Sequence, residues 1–247
     1  MPCRQGMALG MVFYYYPMKR QLIVMALAIL SSFTASAQDW QMVIHRNGLT
    51  PLRINVETID SIAFEPSQAE KHDYTDLGLS VMWATCNVGA DMPEDYGNYF
   101  AWGETETKET YTEQNYSLKV NGVYDTSMTE ISGTQYDAAT VMWQDTWRMP
   151  TIEEVEELAT QCTWTWTSVN GINGYRITGP SGQSIFLPAA GQMREQVVNV
   201  GSTGYYWTGT LSAEYTTAAY NLNFTGYSGR WSANRAYGFC IRPVCDR

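Results

Sequence analysis

Histidine is nearly absent from this chain. Its 247 residues hold two, His45 and His72, and none from Asp73 onward. Ser-His-Asp and Cys-His nucleophile sites, most zinc sites and most general-base schemes draw on an imidazole, so the sequence offers little for those chemistries. Basic charge is scarce as well. Fifteen Lys and Arg stand against twenty-five Asp and Glu, a formal net charge of −10. A surface this acidic repels phosphate backbones, so nucleic acid is not an expected partner. There is no Asp-x-Asp-x-Asp calcium series, no internal repeat, no low-complexity tract and no apolar run of about 18 residues.

The first segment carries an address. Lys19 and Arg20 precede an unbroken apolar run from Leu22 to Leu30, and Ala35-Ser36-Ala37 follows as a small-x-small cleavage signal. This is the pattern of a secretory signal peptide starting at Met18, with an apolar run too short to span a bilayer. No cysteine follows the run, which argues against a lipoprotein anchor. Residues 1–37 are therefore set apart from the fold, and the product is expected to be secreted or displayed at the cell surface without membrane insertion. Removing this leader takes away Arg4, Lys19 and Arg20 and leaves a net charge of −13. Nine Trp and seventeen Tyr exclude a disordered acidic tail. About 210 residues suffice for one sizeable core and a small appendage.

The chain divides into a short unit at 38–66, a polar linker at 67–73 and a main domain at 74–247. In the short unit, Met42-Val43-Ile44, the Asn47-Gly48 turn signal, the alternating "LRINV" and "IDSIAF" read as three small strands. The main domain opens with a strand candidate, "LGLSVMWATC". Residues 108–136 carry few apolar runs and read as a long surface excursion. The clearest helix spans 151–162: Thr151 is the N-cap, Glu154 completes a capping box, and Ile152, Val155, Leu158 and Ala159 form one apolar stripe. Strands follow it. "GYRITGPSGQSIFLPAAG" is a hairpin around residues 179–182. "AAYNLNFTG" places Tyr220, Leu222 and Phe224 on one face and Asn221 and Asn223 on the other. One dominant helix, many short strands and long loops give an α+β fold.

Six stretches, in order, resemble one known family: "DLGLSVMWATCNVGA", "YGNYFAWGET", "WRMPTIEEVEEL", "GYRITGPSGQSIFLPAAG", "YYW" and "GFCIRPV". They are similar to the Fibrobacter succinogenes major paralogous domain, over residues 73–247. The resemblance implies a C-type lectin-like fold on secreted and surface proteins of gut bacteria. It places the chain near the group that contains the formylglycine-generating enzyme, whose Arg-x-Pro-Thr-x-x-Glu helix start is matched by Arg148, Pro150, Thr151 and Glu154. Gly238 and Phe239 match that group's final strand. The implied role is reversible, non-enzymatic binding of a glycan or of a host or bacterial surface protein. A component of a fimbria-like assembly is the alternative.

The resemblance also raises an oxidase. The formylglycine-generating enzyme uses two cysteines separated by four residues, the spacing of Cys240 and Cys245, but its pair precedes the Gly-Phe strand that here contains Cys240. Along an extended strand, five residues span about 16 Å, whereas a disulfide needs Cα atoms about 4.4–6.8 Å apart. In an exported chain disulfides are the default. Cys245 shares parity with Phe239 and Ile241 and so faces the core. Lectin-like folds pair their first and last strands, which makes Cys86–Cys245 the candidate bridge. Cys162 and Cys240 are then a second bridge or two thiols. Glu104 and Glu106 are candidate calcium ligands, and no other cofactor is called for. The helix acids Glu153, Glu154, Glu156 and Glu157 read as a solvated face.

The stretch 201–238 is dense in Tyr, Thr, Ser, Asn and Gly, the composition of adaptable recognition surfaces. Trp207, Tyr220 and Phe224 are assigned to the core. Tyr205, Asn223, Tyr227, Arg230, Trp231, Asn234 and Arg235 are the ligand-contact candidates. In some lectin-like relatives this stretch is a hypervariable face, diversified at adenines by mutagenic retrotransposition, and its composition fits that pattern.

Overall fold

The computed structural model describes residues 41–46, 49–56, 72–144, 146–224 and 231–247. The chain divides into two units, 1–65 and 66–247. In the first, β1 (Gln41–Arg46) and β2 (Leu49–Asn55) form an antiparallel hairpin. The expected leader and the expected third strand at "IDSIAF" lie outside the described residues.

The second unit is built mainly from short antiparallel strands, with two helices. In order they are β3 (Tyr74–Thr75), β4 (Met82–Ala84), β5 (Lys119–Val120), β6 (Val123–Tyr124), α1 (Ala138–Trp143), α2 (Ile152–Gln161), β7 (Thr163–Val169), β8 (Ile172–Thr178), β9 (Ser184–Pro188), β10 (Gln192–Met193), β11 (Val197–Val198), β12 (Tyr205–Leu211), β13 (Ala218–Asn223), β14 (Trp231–Asn234) and β15 (Val244–Cys245). Three sheets have three strands each: β15-β4-β3, β7-β8-β9 and β12-β13-β14. The first strands of the domain thus pair with its last.

Helix α2 forms as its sequence dictates. The Thr151 side chain accepts from the Glu154 amide and the Glu154 side chain accepts from the Thr151 amide, so two orphan donors are satisfied reciprocally. Ile152, Val155, Leu158 and Ala159 are all buried. The guanidinium of Arg148 grips Glu154 with two bonds, at 2.8 and 2.6 Å, and reaches Asp246 at 3.0 Å. Arg148 also pairs through its backbone with Val244. The "RMPTIEE" motif is therefore a clamp between the helix start and the closing strand. Helix α1 was not foreseen. Its N-cap Asp137 is buried, and its carboxylate accepts from the amides of Gly133, Ala139, Thr140 and Met149.

Residues 238–245 run through the middle of the unit. Phe239 pairs with Phe100, and Cys240 bridges Tyr206. Trp207 stacks on Phe239 at 4.2 Å and donates its indole N–H to the Phe100 carbonyl. Arg242 is 1 % exposed. It donates to Asn87 Oδ1 at 2.8 Å and to the carbonyls of Ala84, Thr85 and Phe186 at 3.1, 2.6 and 3.0 Å. Burial pulls its pKa below the ordinary arginine value, and carbonyl dipoles, rather than a carboxylate, hold its charge.

Three expectations are corrected here. The Asn face of β13 is not solvated: all six residues of β13 are buried, because a strand lies on either side and both faces of the sheet are covered. The excursion at 108–136 folds back through Tyr111, Tyr116, Tyr124 and Ile131, all buried. His72 belongs to the domain's packing, stacked on Trp143 at 3.6 Å.

Replacing Arg242 by Met leaves three buried carbonyls and Asn87 without their donor. The expected cost is about 3 kcal/mol or more, a fall in Tm of roughly 6–12 °C for a domain of this size. Thermal and urea unfolding beside a Glu153→Gln control measure it; an unchanged midpoint would contradict the role given to Arg242.

Candidate functional site

A cleft of about 460 Å³ opens between two loops, with Tyr237 at its base. One wall is Tyr111–Gln114, from the excursion. The other is Arg194–Gln196, the turn between β10 and β11. The walls are tied together where the Tyr111 amide donates to the Arg194 carbonyl at 2.8 Å. Gly238 permits this approach: a Cβ there would lie 2.8 Å from the Tyr111 ring and 3.0 Å from Met193 Cβ, while its own backbone exchanges two bonds with Met193. Asn115 shapes the first wall by accepting from the Thr112 amide and donating to the Thr110 carbonyl, so that its side chain reaches back to fasten the loop.

The polar groups of the cleft are partly committed. Glu113 accepts from Asn234 Nδ2 at 2.6 Å and sits 3.5 Å from Lys119 Nζ. The Arg194 guanidinium carbon lies over the Tyr237 ring, 4.0 Å from its centroid, and its Nε donates to Gln192 Oε1 at 3.3 Å. The ring beneath the guanidinium and the bond at Nε hold the fork in place. Gln114 and Gln196 add amide donors and acceptors. Such a cleft offers hydrogen-bond partners of both kinds beside aromatic carbon. No family model, curated protein or solved structure matches this chain.

The seven ligand-contact candidates scatter. Asn234 touches the cleft wall through Glu113, and its Oδ1 accepts from Tyr124 and from the Ala236 amide. Tyr205 is half-buried, 5.1 Å from the Phe239 ring. Asn223 is buried, opposite Tyr205 in the sheet. Trp231 is 44 % exposed on β14. Tyr227 and Arg230 lie outside the described residues. Arg235 departs most from its expected surface place, being 0 % exposed. It packs on Trp102 at 4.6 Å and donates to the Tyr116 hydroxyl and the Asp125 carbonyl. Arg235 thus pins the excursion rather than facing a ligand. Trp207 and Tyr220 are in the core, as expected, and Phe224 packs against it. Tyr111, Arg194, Gln196 and Tyr237 were missed. Three of these sit in loops with no periodic signal, and Tyr237 was passed over in a stretch crowded with aromatics.

Among the described residues, Cys86, Cys162, Cys240 and Cys245 form no disulfide. The expected Cys86–Cys245 bridge fails on register: Cys245 lies opposite Met82, and Cys86 is four residues further along, roughly 13 Å on an extended chain. Cys245 does face the core, and Cys240 lies in a different core cluster. The Cys240 thiol donates to the Tyr96 carbonyl at 3.2 Å, and burial pushes its pKa up to about 12 from 9.0. Glu104 turns inward to Lys108 Nζ and the Ser117 amide, while Glu106 is exposed. Among the described residues no group of three His, Cys, Asp or Glu side chains could hold a metal ion. The helix acids are not all solvated either, since Glu157 accepts from the Ser80 amide and hydroxyl.

A thiol kept protonated in the fold but ionising near its ordinary 9.0 when unfolded stabilises fully below pH 9. That stability is lost as pH climbs towards 12. Tyr99 and Tyr206, also raised by burial, act in the same direction. Unfolding free energy should therefore fall over pH 9–12, and less steeply in Cys240→Ala. In the native protein at pH 8, iodoacetamide should label Cys86 and leave Cys240 untouched. Early labelling of Cys240, read by peptide mass, would overturn its placement.

Proposed function

We propose that this chain is an exported, non-enzymatic binding module of the C-type lectin-like class that recognises a glycan reversibly at the cleft between Tyr111–Gln114 and Arg194–Gln196. The observation that carries the reading is the Arg194 guanidinium held over the Tyr237 ring in a cleft also lined by Glu113, Gln114 and Gln196. Sugar hydroxyls both donate and accept, so they match a rim of guanidinium and amide donors with carboxylate and amide acceptors. Aromatic rings contribute carbon surface for the sugar's C–H faces. Clamped by Gly238 and the wall-to-wall backbone bond, the rim loses little freedom on binding, which favours affinity. The leader-like start and the acidic surface support export and leave nucleic acid and bilayer insertion as poor alternatives.

The oxidase reading gains nothing from this geometry. Its nucleophile must be an accessible thiolate, and Cys240 is buried and protonated. A surface protein as ligand, in place of a glycan, is an outcome of the same screen.

Tyr237→Ala and Arg194→Ala should weaken binding roughly 10- to 100-fold on a glycan array followed by calorimetry, with Tm unchanged in Arg194→Ala. Trp231→Ala tests the neighbouring strand. Full-strength binding by both cleft variants would move the site elsewhere, and copper-dependent oxygen uptake with a cysteine peptide would replace binding by catalysis.

A further inference from the structure

Strand β7 is an edge of its sheet, in the order β7-β8-β9. It joins β8 through Asn170-Gly171, whose φ values of 48° and 84° mark a two-residue turn that suits the twist of a hairpin. Val169 and Ile172 flank this turn and begin an unbroken register running to Thr163 opposite Thr178. In a two-residue hairpin the flanking pair is the hydrogen-bonded one, and the pattern alternates from there. Residues 163, 165, 167 and 169 therefore direct their backbone groups at β8. Trp164, Trp166 and Ser168 direct theirs outward, and no described residue outside the hairpin bonds them.

Natural edges are usually blunted by a lysine, a proline or a bulge. "TWTWTSV" has none of these, and its register with β8 is continuous. From Leu158 to Tyr175 there is no charged residue at all. In a chain of net charge −10, two copies repel one another wherever their acids meet, and β7 carries none; Glu94, bonded to Asn170 at the hairpin turn, is buried. Trp166, at the midpoint of the strand, is 43 % exposed. The opposite edge, β9, ends in Pro188, and four of its five residues are buried.

We propose that β7 is a self-association surface that pairs antiparallel with β7 of a second copy about a twofold axis at Trp166. Trp166 then stands opposite the copy's Trp166, and Trp164 opposite its Ser168. The outward groups of the two strands satisfy one another in about six hydrogen bonds. Two three-stranded sheets become one of six, and the two indoles face across the axis at about 5.5 Å between Cα atoms. The contact is isologous and uses the same edge on both copies, so it closes at a dimer instead of propagating. A dimer carries two clefts, which raises avidity for any repetitive ligand.

Sedimentation equilibrium on the purified chain, over a range of concentrations, tests this. The expected result is a reversible monomer–dimer equilibrium. Ser168→Pro removes an outward N–H and leaves the pairing with β8 intact, as proline on an edge permits. It should weaken dimerisation about thirtyfold, because the twofold axis deletes the bond twice, with Tm unchanged. Trp166→Lys, which sets two cations face to face, should weaken it as well. Hydrogen exchange at the amides of 164, 166 and 168 should slow on association. A monomer at every concentration reached would overturn the proposal, as would a dimer that neither substitution alters.

Discussion

The buried guanidinium of Arg242 is the constraint on which the domain's layout depends. A cation without a carboxylate partner can stay in a dry interior only if oxygens surround it. Here those oxygens are the carbonyls of Ala84, Thr85 and Phe186 and the amide of Asn87. They come from the end of β4 and the segment after it, and from β9, which are remote in sequence. Satisfying one side chain therefore fixes the meeting of three segments. It also seats residues 238–245 between the two main core clusters, with Phe239 and Ile241 in one and Cys240 and Val244 in the other.

Arg235 repeats the device seven residues earlier, equally buried but against a third core cluster. Its guanidinium is boxed by Trp102, Tyr116 and Tyr124 and donates to the Asp125 carbonyl. That anchors the excursion, which has too few apolar residues to fold on its own. The excursion in turn supplies a wall of the cleft, and Asn234 braces it through Glu113. The cleft is thus rigid for reasons that lie beneath it, with Gly238 allowing the close approach that brings the two walls together.

Some of this was legible in the residues. The capping box and stripe of α2 are local: an N-cap, an acid three residues on and an apolar spacing suffice to specify them. The hairpin β8–β9 was visible through its turn at 179–182, and the facing of Cys245 through its parity with Phe239. The buried Asn223 and Arg235 were not legible. Polar residues in a Tyr- and Asn-rich stretch read as surface because burial of a polar group depends on partners far away in sequence. Asn221 and Asn223 lie in the middle strand of a sheet covered on both faces, and no period-two pattern announces that. The Cys86–Cys245 bridge failed for a related reason: pairing of two strands was foreseen, but a disulfide depends on register to within one residue.

The sequence by itself determined the helix at 151–162 and its N-terminal capping box, the aromatic core residues Trp207 and Tyr220, the acidic balance, and a domain built mainly of short strands. These follow from local periodicity, capping chemistry and composition. Only the tertiary structure decided which polar residues are interior, that the cysteines stay unbridged, that loops at 111–114 and 194–196 meet over Tyr237, and that β7 ends its sheet as an uncharged edge. Each of these is a relation between segments distant along the chain, set by the packing of whole elements, and no single stretch of residues encodes it.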